Sequence, residues 1–239
     1  MNEQSKIWNS FMLPFFWVSV LWLVHYLQIK YDVVWTSYGI YPKTISGLKG
    51  ILFSPFLHGD FNHLISNSVP LLLLAWAIIY FYKEATWRVV LFVFILSGVG
   101  TWIIGRPSYH IGASSLVYGF SFFLFSSGVI RKNTRLLAVS LLVVFIYGGL
   151  VWGLLPIIEK MSWEGHVAGS LSGIIASLLF RNYGPQRKVY EWEKVKDEDY
   201  LWDGEKFVLK QDFSAISEDS NKIEINYIYK KESNDAEED

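Results

Sequence analysis

The sequence has no cysteine and little charge. With no thiol, disulfides, Cys-ligated zinc, iron–sulfur clusters and cysteine nucleophiles are excluded together. Charged residues make up 18% of the 239 positions, below the roughly 25% of ordinary soluble proteins. No sign of charge dominates: 21 Lys and Arg stand against 22 Asp and Glu, net −1, which argues against a dedicated nucleic-acid binder. His-Glu-x-x-His, a phosphate-cradling Gly-rich loop and a basic–aromatic patch are also missing, so metal and cofactor chemistry have no motif to rest on. What is abundant is apolar and aromatic: 52% hydrophobic residues, with 11 Trp, 14 Tyr and 17 Phe. That balance points to lipid, and the mean hydropathy of only +0.27 implies that two unlike parts are averaged.

The two parts separate after Arg181. Residues 1–181 carry 12 Lys and Arg against 6 Asp and Glu, whereas residues 182–239 carry 9 against 16. Within the first part, charge-poor windows fall at about 11–28, 61–82, 89–105, 112–130, 136–158 and 165–180. A hydrocarbon core of about 30 Å needs about 20 helical residues, so these predict an all-α polytopic membrane protein of six spans. The last window is short and rich in Gly and Ser. Phe11–Gln28 has no small-residue cleavage site behind a cationic start, which reads as a retained span. Lys and Arg near the span ends divide nine to five, the nine being Lys6, Lys83, Arg88, Arg131, Lys132, Arg135, Arg181, Arg187 and Lys188. The positive-inside rule then puts both termini in the cytoplasm of a cell-membrane protein, with spans 2, 4 and 6 running inward. The acidic stretch 182–239 reads as a cytoplasmic tail, partly disordered, with a small hairpin expected between Lys206–Leu209 and Ile223–Tyr229.

Polar residues at membrane depth are functional hypotheses because they cost free energy there. Three clusters open the three inward spans: His58, His63 and Asn67; Gly112-Ala113-Ser114-Ser115; and Gly165-His166-Val167-Ala168-Gly169. All three therefore lie near the outer surface. His63 and Asn67, four apart, share a helix face. Alone they could be interhelical glue, and Ser114 alone is more often a packing residue. The first amides of a helix lack intrahelical acceptors and carry partial positive charge, so a serine there has oxyanion donors beside it. Gly165, Gly169 and Gly173 give span 6 a face without side-chain volume, and Ser115 and Gly119 give span 4 a similar strip. Packing the strips together would bring Ser114 to His166, the geometry of an activated hydroxyl. Glu164 points to another side of its helix and Asp60 lies before span 2, so the expected pair is a dyad with no carboxylate. Tyr118, one turn below Ser114, is either an ordinary interior Tyr or one that orients the imidazole. His58 is as readily a loop-packing residue, and His25 has no assigned role.

These motifs, in this order, resemble the rhomboid intramembrane serine proteases over about Ser54–Arg181. The resemblance implies that Ser114 is the nucleophile and His166 the general base, and that His63, Asn67 and the Ser114 backbone N–H form the oxyanion hole. It implies that Tyr118 packs beneath the histidine, that His58 shapes the site, and that Gly112, Gly165 and Gly169 support it. No metal or cofactor is implied, nor any nucleic acid. The partners implied are the lipid bilayer and single-pass transmembrane protein substrates, cut in or near their membrane segments through an acyl-enzyme. Ser115 replaces a frequent glycine, Gly165 a frequent alanine, and the Trp-Arg pair of many members is missing from the loop at about 30–60. Two rivals are a catalytically silent rhomboid-like protein that binds transmembrane clients, and a transporter or channel. The second predicts polar residues continuing toward the cytoplasmic ends, where spans 2, 4 and 5 are apolar.

Overall fold

A computed structural model describes residues 2–157, 161–187, 200–202 and 207–209. Seven α-helices appear among them: α1 Glu3–Lys30, α2 Gly50–Phe53, α3 Phe61–Phe81, α4 Thr86–Ile104, α5 Ser114–Arg131, α6 Thr134–Tyr147 and α7 Trp163–Leu179. Side chains set several of the starts. Asn2 accepts from the Ser5 amide at 2.8 Å, Asp60 from the His63 amide at 2.8 Å, and Ser162 from the Gly165 amide at 3.3 Å, each satisfying an amide that the first turn leaves without a partner. Three helices, α1, α3 and α4, are long and apolar enough to cross a membrane.

The boundaries differ from expectation at two places. The span predicted over 136–158 is not one helix, because α6 ends at Tyr147 and a 3₁₀ segment runs from Gly148 to Leu154. Two consecutive glycines there weaken the α-helix, and Ile158 lies outside the described residues. The second is the division of the chain, which falls after Lys188 instead of Arg181. Arg131, buried at the end of α5, donates to the Phe180 carbonyl at 2.8 Å and to the carbonyls of Tyr183 and Pro185. Asn133 holds the Gln186 carbonyl at 2.8 Å, so the residues just past α7 belong to the helical unit.

Helices α5 and α7 meet backbone to backbone. A Cβ on Gly169 would fall on the Ser115 carbonyl, and one on Gly173 on the Gly119 carbonyl. Beside this contact lies an apolar core that includes Leu64, Leu71, Val89, Leu116, Phe120 and Phe123. The outward faces are apolar as well: Phe16, Trp87, Leu141 and Phe145 are exposed, a surface that water would not favour and lipid would. Between α1 and α3 the chain forms short helical turns and α2, tied to the α4–α5 connection. Ile40 and His110 exchange backbone hydrogen bonds of 3.0 and 2.8 Å, and the Trp102 indole donates to the Thr44 carbonyl at 2.8 Å.

In the second unit, β1 (Tyr200–Trp202) pairs antiparallel with β2 (Phe207–Leu209). Among the described residues the partner of 207–209 is 200–202, a nearby segment with little chain to close. The strand expected over 223–229 lies outside the described residues.

Candidate active site

The first residue of α5 and the fourth of α7 face each other. Ser114 Oγ lies 2.9 Å from His166 Nε2, and the other imidazole nitrogen, Nδ1, lies 2.8 Å from the Gly153 carbonyl oxygen. A carbonyl can only accept, so Nδ1 carries the proton. Nε2 is then the acceptor, and the Ser114 hydroxyl donates to it. The 3₁₀ segment that interrupts the fifth predicted span is what delivers the Gly153 carbonyl. His166 is buried, and the Tyr118 ring stacks on it with centroids 4.1 Å apart and planes at 7°.

Gly112 leaves room for the His63 and Asn67 side chains beside the start of α5. Its φ of +107° is one that side-chain-bearing residues rarely adopt, and a Cβ there would stand 2.6 Å from His63 Nε2 and 3.7 Å from Asn67 Nδ2. The His63 and Asn67 side chains therefore face the backbone immediately before Ser114. Asn67 is oriented by one of its amide hydrogens, donated to the His63 carbonyl at 2.9 Å, leaving the second available. Ser114 begins its helix, so its amide has no intrahelical acceptor. His58 sits behind His63, edge to face at 5.0 Å between centroids. It is fully buried, and burial, with His63 and His25 nearby, holds its pKa down at about 3, so that it stays neutral.

A second group of residues, not singled out by sequence pattern, braces the start of α7. The Ser162 hydroxyl lies 2.6 Å from His110 Nδ1, and His110 Nε2 lies 3.2 Å from the Arg106 carbonyl. That carbonyl fixes the proton on Nε2, so Ser162 donates to Nδ1 while accepting the Gly165 amide. Arg106 donates to the Met161 carbonyl at 2.6 Å and pairs with Glu164 at 3.7 Å. Glu164 is thus turned away from His166 and toward Arg106. The only sequence signals were a lone histidine in a short connection and a serine two residues before an acidic first turn. A backbone acceptor such as Gly153 leaves none.

Ser114, His166, His63, Asn67 and Tyr118 line one cavity of about 570 Å³, together with Arg106, His110 and Ser162. Gly165 and Gly169 lie behind it, where α7 packs on its neighbours. Among the described residues no three His, Asp or Glu side chains are grouped as metal ligands. The cavity therefore offers a hydroxyl hydrogen-bonded to a neutral imidazole, with several N–H donors close by. That combination suits nucleophilic attack on a carbonyl.

The family model described as Rhomboid domain matches residues 46–183. An uncharacterized protein of Mycobacterium tuberculosis is 35% identical over 160 residues, covering 63% of this chain and 65% of that protein. An uncharacterized Mycobacterium leprae protein is 33% identical over 170 residues, covering 67% of this chain and 61% of its own length. The chain spans less than two thirds of these relatives.

Proposed function

The chain belongs to the rhomboid family, and from that premise we propose that it is an intramembrane serine endopeptidase acting on single-pass transmembrane proteins. The observation that carries the proposal is the 2.9 Å contact between Ser114 Oγ and His166 Nε2, at the start of a helix beside His63 and Asn67.

In this mechanism His166 Nε2 takes the Ser114 proton as Oγ attacks the scissile carbonyl. The imidazolium formed is held by the Nδ1–H bond to the Gly153 carbonyl and by the Tyr118 ring face. A neutral acceptor replaces the carboxylate of a triad; it fixes the tautomer without supplying a counter-charge. The oxyanion receives N–H donors from Asn67, His63 and the Ser114 backbone, each such donor being worth about 2.7–4 kcal/mol. The imidazolium protonates the leaving amine, and water, activated by the same His166, hydrolyses the acyl-enzyme to release the second product and restore Ser114. Substrate helix must unwind locally to present its carbonyl, because a helical peptide bond is hydrogen-bonded and shielded.

The proposed topology has six spans, with α2 in the connection after the first, both ends of this sequence on the cytoplasmic side, and the cavity toward the outer face. Lys and Arg distribution supports it. The native chain has no cysteine, so single-cysteine labelling tests it directly. Asn133→Cys should react only from the cytoplasmic side and Ser108→Cys only from outside.

The decisive experiment is cleavage of a transmembrane reporter in proteoliposomes, with fluorophosphonate labelling in parallel. Wild-type protein should cut and be labelled, and Ser114→Ala and His166→Ala should lower cleavage by about 10³-fold or more and abolish labelling. Cleavage that survives Ser114→Ala overturns the proposal. A wild-type chain that binds reporters and neither cuts nor labels is the silent binder instead.

A further inference from the structure

His110, in the connection between α4 and α5, has a partner for each of its polar groups. Its amide donates to the Ile40 carbonyl at 2.8 Å, and its own carbonyl accepts the Ile40 amide at 3.0 Å. The imidazole donates from Nε2 to the Arg106 carbonyl at 3.2 Å and accepts the Ser162 hydroxyl on Nδ1 at 2.6 Å. The residue is buried, and a buried side chain with both ring nitrogens satisfied is held in one orientation. Two glycines leave the room this contact needs. A Cβ on Gly105 would stand 2.9 Å from His110 Nε2, and one on Gly165 would stand 2.8 Å from Ser162 Oγ.

Ser162 passes this order on to His166. The Ser162 hydroxyl oxygen accepts the Gly165 amide at 3.3 Å, and its carbonyl accepts the His166 amide at 3.2 Å. Ser162 therefore holds two successive amides in the first turn of α7, the second being that of His166 itself. A hydroxyl free to rotate can turn its lone pairs away from a helix amide. The bond to His110 Nδ1 takes the Ser162 hydrogen and leaves the oxygen toward Gly165.

The same histidine stands four residues before Ser114, on the segment that leads into α5. Both ring nitrogens of His166 are engaged, by Ser114 and by Gly153, so His110 and Ser162 act on that ring through the backbone. The placement of the base against the nucleophile thus runs through one hydrogen bond between residues 52 apart in the chain. We infer that His110 is a positioning residue for the reaction: by fixing the Ser162 hydroxyl it seats the first turn of α7, and with it His166, against Ser114. This inference rests on the protease reading and adds to it a residue outside the dyad and the oxyanion site.

The test is steady-state cleavage of a transmembrane reporter in proteoliposomes, with kcat expressed per site labelled to completion by a fluorophosphonate, so that unfolded protein is not counted. His110→Phe and Ser162→Ala should each lower kcat by about tenfold, less than the roughly 10²-fold that a 1 Å misplacement can cost, and should leave KM within about twofold. The double variant should be no slower than the slower single one, because either change breaks the same bond. His110→Asn, whose Oδ1 stands where Nδ1 does, should bring kcat back to within about threefold of wild type. Should His110→Phe fail to fold, Ser162→Thr against Ser162→Ala gives the same comparison: threonine keeps the hydroxyl and should keep kcat within about threefold.

An unchanged kcat per labelled site in His110→Phe and Ser162→Ala overturns the inference even if melting temperatures fall, since the contact would then serve only the fold. So does a raised KM with kcat kept, which would mean contact with substrate. Losses that multiply in the double variant, His110→Asn as slow as His110→Phe, or Ser162→Thr as slow as Ser162→Ala overturn it as well. If the wild type cuts no reporter, the protease reading fails and this inference falls with it. If reporters are cut in a Ser114-dependent manner and kcat does not move, only the inference fails.

Discussion

The imidazole of His166 lies flat on the ring of Tyr118, 4.1 Å between centroids and 7° from parallel. With Gly153 on Nδ1 and Ser114 on Nε2, the stack fixes both the rotation and the plane of the ring. Tyr118→Leu should lower kcat by about tenfold with a smaller change in KM, since a ring stack contributes about 0.5–1.5 kcal/mol. Tyr118→Phe, which keeps the ring, should retain most of that kcat. Steady-state kinetics on a reporter compares the two.

Gly169 decides how closely α7 approaches α5. A methyl there would overlap the Ser115 carbonyl, next to the proposed nucleophile. Gly169→Ala should destabilise by about 1–3 kcal/mol, the usual range for overpacking, and Gly169→Val by more. Thermal melting in detergent should fall in that order, and fluorophosphonate labelling should fall in the same order.

Gly112 tests the oxyanion site separately from the dyad. Its φ of +107° and the 2.6 Å approach to His63 Nε2 both oppose a side chain. Gly112→Ala should cut kcat/KM by about 10²-fold, the lower end for loss of an oxyanion donor. The backbone strain, about 1–3 kcal/mol, should appear as a modest drop in melting temperature.

Arg106 and Glu164 form a one-sided ion pair: the carboxylate is 2% exposed and the guanidinium 37%. Arg106→Ala leaves a buried charge, whereas Glu164→Gln removes it. Arg106→Ala should therefore cost about 1–3 kcal/mol, reduced from the fully buried case by solvent on the arginine side, and Glu164→Gln less. The double variant should recover part of the loss, as a double-mutant cycle of melts would show.

His58 carries an acid sensitivity. Its folded-state pKa is about 3 against an ordinary value of 6.5, chiefly through burial. Between those values the unfolded chain binds the proton and the folded one does not. Its contribution is fully present above pH 6.5 and is lost as pH falls toward 3, by about 1.4 kcal/mol per pH unit. His58→Phe should flatten the decline in melting temperature between pH 6.5 and 4.

The sequence by itself determined the elements and the chemical types. The apolar windows located α1, α3, α4, α5 and α7 to within a few residues, except that α1 extends well beyond its window at the N-terminal end. Spacing put His63 and Asn67 on one face, and the small residues at 115, 119, 165, 169 and 173 marked two helix faces that could touch. These are local properties, fixed by helical period and side-chain volume. Tertiary structure decided the rest. Glycines at 148 and 149 carried no sign that the chain beyond them would turn Gly153 toward His166, because a backbone carbonyl has no identity in sequence. Arg106 and His110 come from the α4–α5 connection and Ser162 and Glu164 from the start of α7, about 55 residues away, so the four act together only once α7 is seated. The dyad distance itself belongs to packing: two glycines on α7 permit it, and Arg131, at the far end of α5, ties down the chain just past α7.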